Sequence, residues 1–212
     1  MKNKFYLILV TLIFTLSGCE EKSNSTETAI KNDTSLESKQ EKNTIIKTSE
    51  TRKTPIIEYN YEFKNLKNQV STLNIKNDIY DFKNIKQPIV IITVMSTWCP
   101  PCRGQIPHLS KLQQKFKDNL FVMATLVHDD IEEEQLNKFI IAQKMLFYVS
   151  VTRDENLKFI NMLTPKLSLS KDFPMPLTIV FVKGTYFTHY EGMIPEEMIE
   201  SDIKQLLQKI NN

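Results

Sequence analysis

The sequence predicts an α/β fold with a central mixed β-sheet and helices on both faces. Residues 89–95 form a nearly continuous apolar run of strand length, as expected of a strand buried on both faces. Beyond this run, strand-like segments alternate with segments of helical periodicity, an order that favours parallel strands joined by helices. Two further strand-like segments flank Lys183-Gly184, which predicts an antiparallel hairpin in the same sheet.

Two short segments before the central strand predict an N-terminal β-hairpin extension. Residues 56–63 and 70–75 alternate β-branched or aromatic side chains with polar ones, as half-buried strands do. Lys67-Asn68-Gln69 between them is typical of a turn.

The elements after the central strand follow from the period of their apolar residues. Apolar residues spaced three or four apart predict a helix from Cys99 to about Asn119. Short continuous apolar runs predict buried strands. Pro195 marks the first turn of an amphipathic C-terminal helix. The remaining predicted strands are 120–127, 146–151, 177–182 and 185–190, and the remaining predicted helices are 131–141, 154–164 and 195–210.

Composition excludes several classes of protein. The 27 Lys and Arg residues nearly balance 25 Asp and Glu residues, so the chain lacks the basic excess of a nucleic-acid-binding protein. No apolar run reaches the roughly 18 residues that a membrane-spanning helix needs. Three cysteines are too few for a disulfide-stapled scaffold, so we expect them to have specific roles.

The N-terminus has the features of an export signal. Lys2 and Lys4 precede a short apolar core at residues 5–16. The next residues, Leu16-Ser17-Gly18-Cys19, resemble the lipobox of bacterial lipoproteins, which implies cleavage after residue 18 and a lipid on Cys19. An ordinary signal peptide with an incidental Cys19 is the alternative. We expect residues 1–18 to be a lipoprotein signal peptide.

The segment after the signal is predicted to be a tether. Residues 19–55 are rich in Ser, Thr, Asn, Lys and Glu, and they have too few apolar side chains to offset the entropy of ordering. A flexible chain of this length reaches on the order of 30 Å. Residues 56–212 are then a domain held by Cys19 to the lipid bilayer on the periplasmic or other extracytoplasmic face of the membrane.

Two cysteines lie in the run Trp98-Cys99-Pro100-Pro101-Cys102, between the central strand and the first long helix. This strand-to-helix position is the one that a redox-active Cys-x-x-Cys pair requires. The positive end of the helix dipole favours a thiolate, so we expect Cys99 to have a lowered pKa and to be the nucleophile. Cys102 lies within one helical turn and is expected to resolve the mixed disulfide.

The run from Ser96 to Arg103, with Ile106-Pro107 after it, resembles the thioredoxin superfamily and within it the TlpA/ResA-like periplasmic thiol:disulfide oxidoreductases. Met175-Pro176 at the start of a late strand resembles the family's second element, a cis-proline packed against the redox pair. The resemblance implies a thioredoxin fold over residues 56–212, with Pro176 part of the catalytic site.

The resemblance also implies what the protein acts on. The substrates would be protein thiols and disulfides, as in cytochrome c maturation or oxidase assembly, and a membrane protein of the thiol-disulfide type would supply electrons. The redox pair itself would replace any organic cofactor or metal. Four residues would border the bound substrate: Trp98, Pro100, Pro101 and Met175.

The sequence departs from the family at two positions. Thioredoxins carry Asp six residues before the first Cys, where this chain has Thr93, and the TlpA/ResA-like branch carries Glu three residues after the second Cys, where this chain has Gln105. The resemblance implies that such an acid accepts the proton of the resolving thiol. Water, the substrate or another group must do so here.

Three alternatives to a reductant stay open at this stage. One is an oxidase or isomerase that uses the same two thiols. Another is a Cu(I) chaperone in which the thiols and Met175 bind the metal, with His189 as a further ligand. The third is an adaptor that uses the fold only to dock partners. A zinc site would need two more ligands, and His108 is the one histidine close in sequence.

Overall fold

The computed structural model describes residues 57–211, in which eight strands and four helices form. The strands are β1 (Glu58–Lys64), β2 (Val70–Lys76), β3 (Ile79–Phe82), β4 (Ile89–Met95), β5 (Leu120–Leu126), β6 (Tyr148–Ser150), β7 (Leu177–Val182) and β8 (Thr185–Glu191). The helices are α1 (Pro100–Lys115), α2 (Glu133–Ala142), α3 (Arg153–Lys166) and α4 (Glu196–Asn211).

The predicted central mixed sheet is confirmed. Its five strands lie in the order β6-β5-β4-β7-β8, with β4 parallel to β5 and antiparallel to β7. All seven residues of β4 are buried, because this strand has a neighbour on each edge and a packed layer on each face. The lysine-glycine turn joins β7 to its antiparallel partner β8, as predicted.

Helices cover both faces of this sheet, also as predicted. Apolar residues of α1 and α4 pack on the face formed by Ile89 and Ile91. On the opposite face, Val90 and Ile92 pack with α3 and with the N-terminal strands. The Trp98–Cys102 motif therefore lies where the buried central strand passes into the first helix of one layer.

The N-terminal extension has one strand more than predicted. β1 and β2 form the expected hairpin, and β3 pairs with β2 to complete a separate three-stranded antiparallel sheet. β3 is only four residues long and follows Asn77 and Asp78, both with positive φ, so its alternation is too brief to stand out in the sequence. Tyr80 of β3 packs on Phe181 with ring centroids 4.6 Å apart, which joins the extension to the main core.

The element boundaries differ modestly from the predicted ones. α1 begins at Pro100 and ends at Lys115, and Cys99 is its N-cap. β6 is three residues long, because Leu146, predicted to lie in it, is 49% exposed and precedes the sheet. Within residues 57–211, none of the helices has the length and apolarity needed to cross a bilayer. The predictions for residues 1–55, including Cys19, and the predicted start at residue 56 lie outside the described residues.

Candidate functional site

Cys99 and Cys102 form a disulfide at the junction of β4 and α1. Their Cα atoms are 5.3 Å apart, and both residues are buried, with exposed fractions of 4% and 1%. Cys99 has extended backbone angles as the N-cap, whereas Cys102 lies inside the first helical turn. The spacing that predicted a reachable pair is thus matched by a bonded pair.

The start of α1 offers few hydrogen-bond donors to the sulfur of Cys99. Its first two positions are Pro100 and Pro101, which have no N–H groups, so Cys102 carries the first backbone N–H of the helix. That N–H lies 3.3 Å from Cys99 Sγ. The first turn contains no acidic residue. Cys99 therefore receives the favourable helix dipole and one amide donor, which is fewer than a proline-free helix start supplies.

The Met175-Pro176 peptide bond is cis, which confirms the conformation expected from the resemblance. The carbonyl oxygen of Met175 lies 4.0 Å from Cys99 Sγ, and Pro176 is buried beside the start of β7. The N–H of Gly192 donates to the carbonyl of Pro176 at 2.9 Å, which fixes this turn to the end of β8. Two chain segments distant in sequence therefore meet at the first cysteine.

The residues predicted to border a substrate surround the same sulfur. Trp98 is 57% exposed, and its indole N–H donates to the carbonyl of His128 at 2.8 Å, so the ring is held in place while its surface faces solvent. Pro100 and Pro101 are exposed, and Met175 is half-buried. Together they form an apolar rim around a buried disulfide.

The positions of the two missing acids are buried and neutral. Gln105 accepts a hydrogen bond from the N–H of Ile194 at 2.9 Å, but its amide nitrogen has no partner within residues 57–211. Thr93 on β4 lies directly opposite Thr178 on β7, and neither buried hydroxyl has a hydrogen-bond partner in the described part of the chain. Alternation along the strands places both threonines on the face covered by α1.

Tyr190 continues this row of polar side chains, because it lies opposite Thr178 in the register of β7 and β8. Its hydroxyl donates to Asp202 of α4. Burial, and then this hydrogen bond, raise the pKa of Tyr190, so the phenol stays protonated across the physiological range. The three residues of this row, Thr93, Thr178 and Tyr190, are therefore uncharged.

Sequence reasoning missed Asp129, which lies two residues after the predicted strand 120–127. Asp129 is 7% exposed, and its carboxylate accepts hydrogen bonds from the backbone N–H and the hydroxyl of Thr97, two residues before Cys99. A signal for it was present, since β4 and β5 are parallel neighbours and residues that follow such strands meet at one edge of the sheet.

Sequence reasoning also missed Met193, whose sulfur packs on Gly104 of α1. A Cβ atom at Gly104 would lie 2.5 Å from Met193 Sδ. Glycine inside a helix costs about 1 kcal/mol relative to alanine, and the close packing of Met193 accounts for its presence. Met193 is 54% exposed and follows Gly192, whose N–H binds Pro176. It extends the apolar surface near the redox pair.

The structure does not bring the proposed metal-binding residues together as a cluster. His108 Nδ1 is hydrogen-bonded with the carbonyl of Ile194 at 3.3 Å, and His189 Nδ1 with the hydroxyl of Tyr186 at 2.7 Å. Among residues 57–211, no group of three or more His, Cys, Asp and Glu side chains is arranged to hold a metal ion. Met175 is the one member of the suggested Cu(I) set placed beside the cysteines.

Two solved structures share this fold. A thiol:disulfide interchange protein of the thioredoxin family from Chlorobium tepidum has a TM-score of 0.55 and 15% identity, covering 70% of this chain and 93% of that one. A secreted disulfide oxidoreductase of Mycobacterium tuberculosis has a TM-score of 0.50 and 11% identity, covering 68% of this chain and 95% of that one. At these identities the likeness establishes the thioredoxin-like fold.

Sequence comparison identifies the family. The thioredoxin-like protein YneN of Bacillus subtilis is 29% identical over 79 residues, which cover 37% of this chain and 45% of that protein. The alignment thus spans less than half of the relative's length. The Redoxin family model matches residues 60–207, which include the cysteine pair, Pro176 and almost every described element. The resemblance seen at the Trp98–Cys102 motif is confirmed, and the chain belongs to the Redoxin family.

Proposed function

We propose that this protein is a lipid-anchored, extracytoplasmic thiol:disulfide oxidoreductase that reduces protein disulfides. The observation that carries the proposal is the bonded Cys99–Cys102 pair at the start of α1, with the Met175 carbonyl 4.0 Å from Cys99 Sγ. The pair stores two electrons as a dithiol and releases them as a disulfide. Membership in the Redoxin family and the secreted solved neighbour support this activity and this compartment.

Cys99 is the nucleophile in this proposal. Its sulfur faces the N–H of Cys102 and lies at the positive end of the α1 dipole, both of which favour a thiolate. Cys102 is the more buried of the two and lies inside the helix, so a bulky substrate reaches it less readily. Access and electrostatics therefore favour the same sulfur.

The reaction proceeds through a mixed disulfide. The Cys99 thiolate attacks one sulfur of a substrate disulfide, forming one S–S bond and expelling the other substrate sulfur as a thiolate. The Cys102 thiol then attacks Cys99 Sγ, the internal disulfide forms, and the second substrate sulfur leaves. The proton of Cys102 passes to that leaving thiolate, directly or through water. Two electrons pass to the substrate, and a membrane-bound dithiol donor restores the protein.

The apolar rim is the proposed docking surface. Trp98, Pro100, Pro101 and Met175 present ring and thioether surface around the buried Cys99–Cys102 disulfide. Such surface suits an extended or unfolded polypeptide, whose side chains vary while its backbone stays constant. Substrates of the apocytochrome or oxidase-assembly kind fit this description, since their cysteines must be reduced before a haem or metal is attached.

The direction of electron flow gives a measurable prediction. Pro100 and Pro101 offer neither a charge nor an amide donor to the Cys99 thiolate, and weak stabilisation of the thiolate lowers the reduction potential. We expect a value nearer the roughly −270 mV of thioredoxin than the roughly −120 mV of strong oxidants. Equilibration with glutathione buffers, followed by thiol alkylation, measures it. A potential above about −160 mV would favour the oxidase or isomerase instead.

Enzymatic turnover separates the proposed function from an adaptor role. The protein, given dithiothreitol, should accelerate the reduction of insulin disulfides, and its Cys99→Ser variant should not. Equal rates for the two proteins would show that the fold serves only to dock partners. In cells, alkylation of free thiols should find Cys99 and Cys102 mainly reduced if the protein is an electron donor.

The anchor is a separate prediction. Cys19→Ala should release the protein from the membrane into the soluble extracytoplasmic fraction, because the proposed lipid is then absent, while the potential and the insulin reduction should be unchanged. Fractionation with immunoblotting checks the location. Ser17→Ala is a matched control that keeps the Cys. Continued membrane attachment of Cys19→Ala at high salt would indicate another anchor.

A further inference from the structure

The three residues that lead into Cys99 are all held by the loop that follows β5. Residues 96–98 are the last residues before the nucleophile, and residues 127–129 bind each of them in turn. The contacts are Ser96 Oγ to the Val127 carbonyl at 2.5 Å, the Thr97 N–H to Asp129 Oδ2 at 2.5 Å, and Trp98 Nε1 to the His128 carbonyl at 2.8 Å.

Asp129 makes the strongest of these contacts. Oδ2 accepts the N–H of Thr97, while Oδ1 accepts the hydroxyl of Thr97 at 3.1 Å and the N–H of Ile131 at 3.4 Å. A buried carboxylate is costly unless it is fully hydrogen-bonded, and charge-assisted bonds are roughly twice as strong as neutral ones. A single side chain thus uses both oxygens to hold one residue of the redox loop.

The remaining polar group of Thr97 is held from the other side. Its carbonyl accepts a hydrogen bond from Arg103 Nε at 2.6 Å, and Arg103 belongs to α1, one residue after Cys102. The N–H of Cys99 in turn donates to the carbonyl of Ser96 at 3.2 Å. Thr97 is therefore held by hydrogen bonds at its N–H, its hydroxyl and its carbonyl. These bonds fix the backbone direction in which the chain enters Cys99.

We propose that Asp129 is a positioning residue, which holds Thr97 so that Cys99 Sγ keeps its hydrogen bond from the backbone N–H of Cys102. The inference rests on the proposed function only in taking Cys99 as the reactive sulfur. Asp129 touches neither the sulfurs nor a substrate. Its influence passes through Thr97 to the one backbone donor that the two prolines leave to Cys99.

The charge of Asp129 and its hydrogen bonds have opposite effects on Cys99. A nearby negative charge disfavours a thiolate, so neutralising the carboxylate alone would increase the thiolate fraction. Loss of the hydrogen bonds from Thr97 to Asp129 would instead move the Cys102 N–H out of line with Cys99 Sγ and decrease the thiolate fraction of Cys99. Asparagine keeps an acceptor for the Thr97 N–H and offers a donor to the Thr97 hydroxyl, whereas alanine keeps neither.

The test compares Asp129→Ala and Asp129→Asn with Asp130→Ala, in which a fully exposed neighbouring carboxylate is removed. Each reduced protein is reacted with iodoacetamide from pH 5 to 9, in a Cys19→Ala, Cys102→Ser background so that Cys99 is the one remaining cysteine. We expect Asp129→Ala to slow alkylation at pH 7 about tenfold and to shift the pH profile upward by about one unit. Asp129→Asn should restore the wild-type rate or exceed it, and Asp130→Ala should match wild type.

Two results would overturn the inference: a wild-type profile for Asp129→Ala, or equal profiles for the Ala and Asn variants. If Asp129→Ala does not fold, Thr97→Val and Thr97→Ser answer the same question. Serine keeps the hydroxyl and should react as wild type, valine should be about threefold slower, and equality of the two would contradict the proposal. Because the readout is a small reagent, failure of insulin reduction would overturn the proposed function and leave this inference standing.

Discussion

Replacing Cys102 with serine is expected to convert the protein into a trap for its substrates. Cys99 keeps its place at the N-cap of α1 and still attacks a substrate disulfide, but the thiol that would release the product is gone. We expect Cys102→Ser to accumulate at least tenfold more mixed disulfide than wild type. Non-reducing electrophoresis of cell extracts, followed by mass spectrometry of the bands lost on reduction, measures the yield and identifies the partners.

Cys99→Ser is the matched control, since it also leaves one thiol of the pair. Its remaining sulfur, Cys102, is 1% exposed and lies within α1, so we expect few covalent complexes. Equal trapping by the two variants would contradict the assignment of Cys99 as the nucleophile and Cys102 as the resolving thiol. It would leave the fold and the family unaffected.

The central strand and the redox motif were predictable because their physical requirements are local. A strand buried on both faces needs a continuous apolar run, and Ile89–Met95 supplies one. A redox pair at a helix start needs two cysteines within one turn, and a helix after a strand needs a change of period. Each requirement is visible within fewer than ten residues of sequence.

The features that were missed depend on contacts between distant segments. Asp129 reaches the redox loop because β5 lies beside β4, and its own surroundings in sequence, between His128 and Asp130, resemble an ordinary polar loop. β3 is recognisable only once β2 is there to pair with it. Likewise Gly104 becomes informative when Met193, from the loop after β8, is seen to lie against it.

Thr93 and Gln105, the neutral residues at the two positions where the family carries an acid, could be described only from the sequence and the structure together. The sequence identifies Thr93 and Gln105 as places without a carboxylate, and the structure adds that both are buried and that the Thr93 hydroxyl faces no partner in the described chain. Ala124 and Thr178 flank Thr93 in the sheet, and neither carries a charge. A carboxylate placed there would find no cation across either neighbouring strand.

Thr93→Asp is therefore expected to make stability strongly dependent on pH. Burial without a partner raises the folded-state pKa of the new carboxyl above its unfolded value of about 3.9. The folded state then holds a proton that the unfolded state has lost, so the free energy of unfolding falls as pH rises from the unfolded pKa to the folded one. We expect the free energy of unfolding to be lower than that of wild type by a small amount at pH 4.5 and by roughly 3 to 5 kcal/mol at pH 8.

Thr93→Val is the control, because it removes an unpartnered hydroxyl at nearly constant volume. Its free energy of unfolding should stay within about 1 kcal/mol of wild type at both pH values. Urea denaturation at the two pH values measures all three proteins, and a Thr93→Asp variant as stable as wild type at pH 8 would mean that water or a cation reaches this part of the sheet.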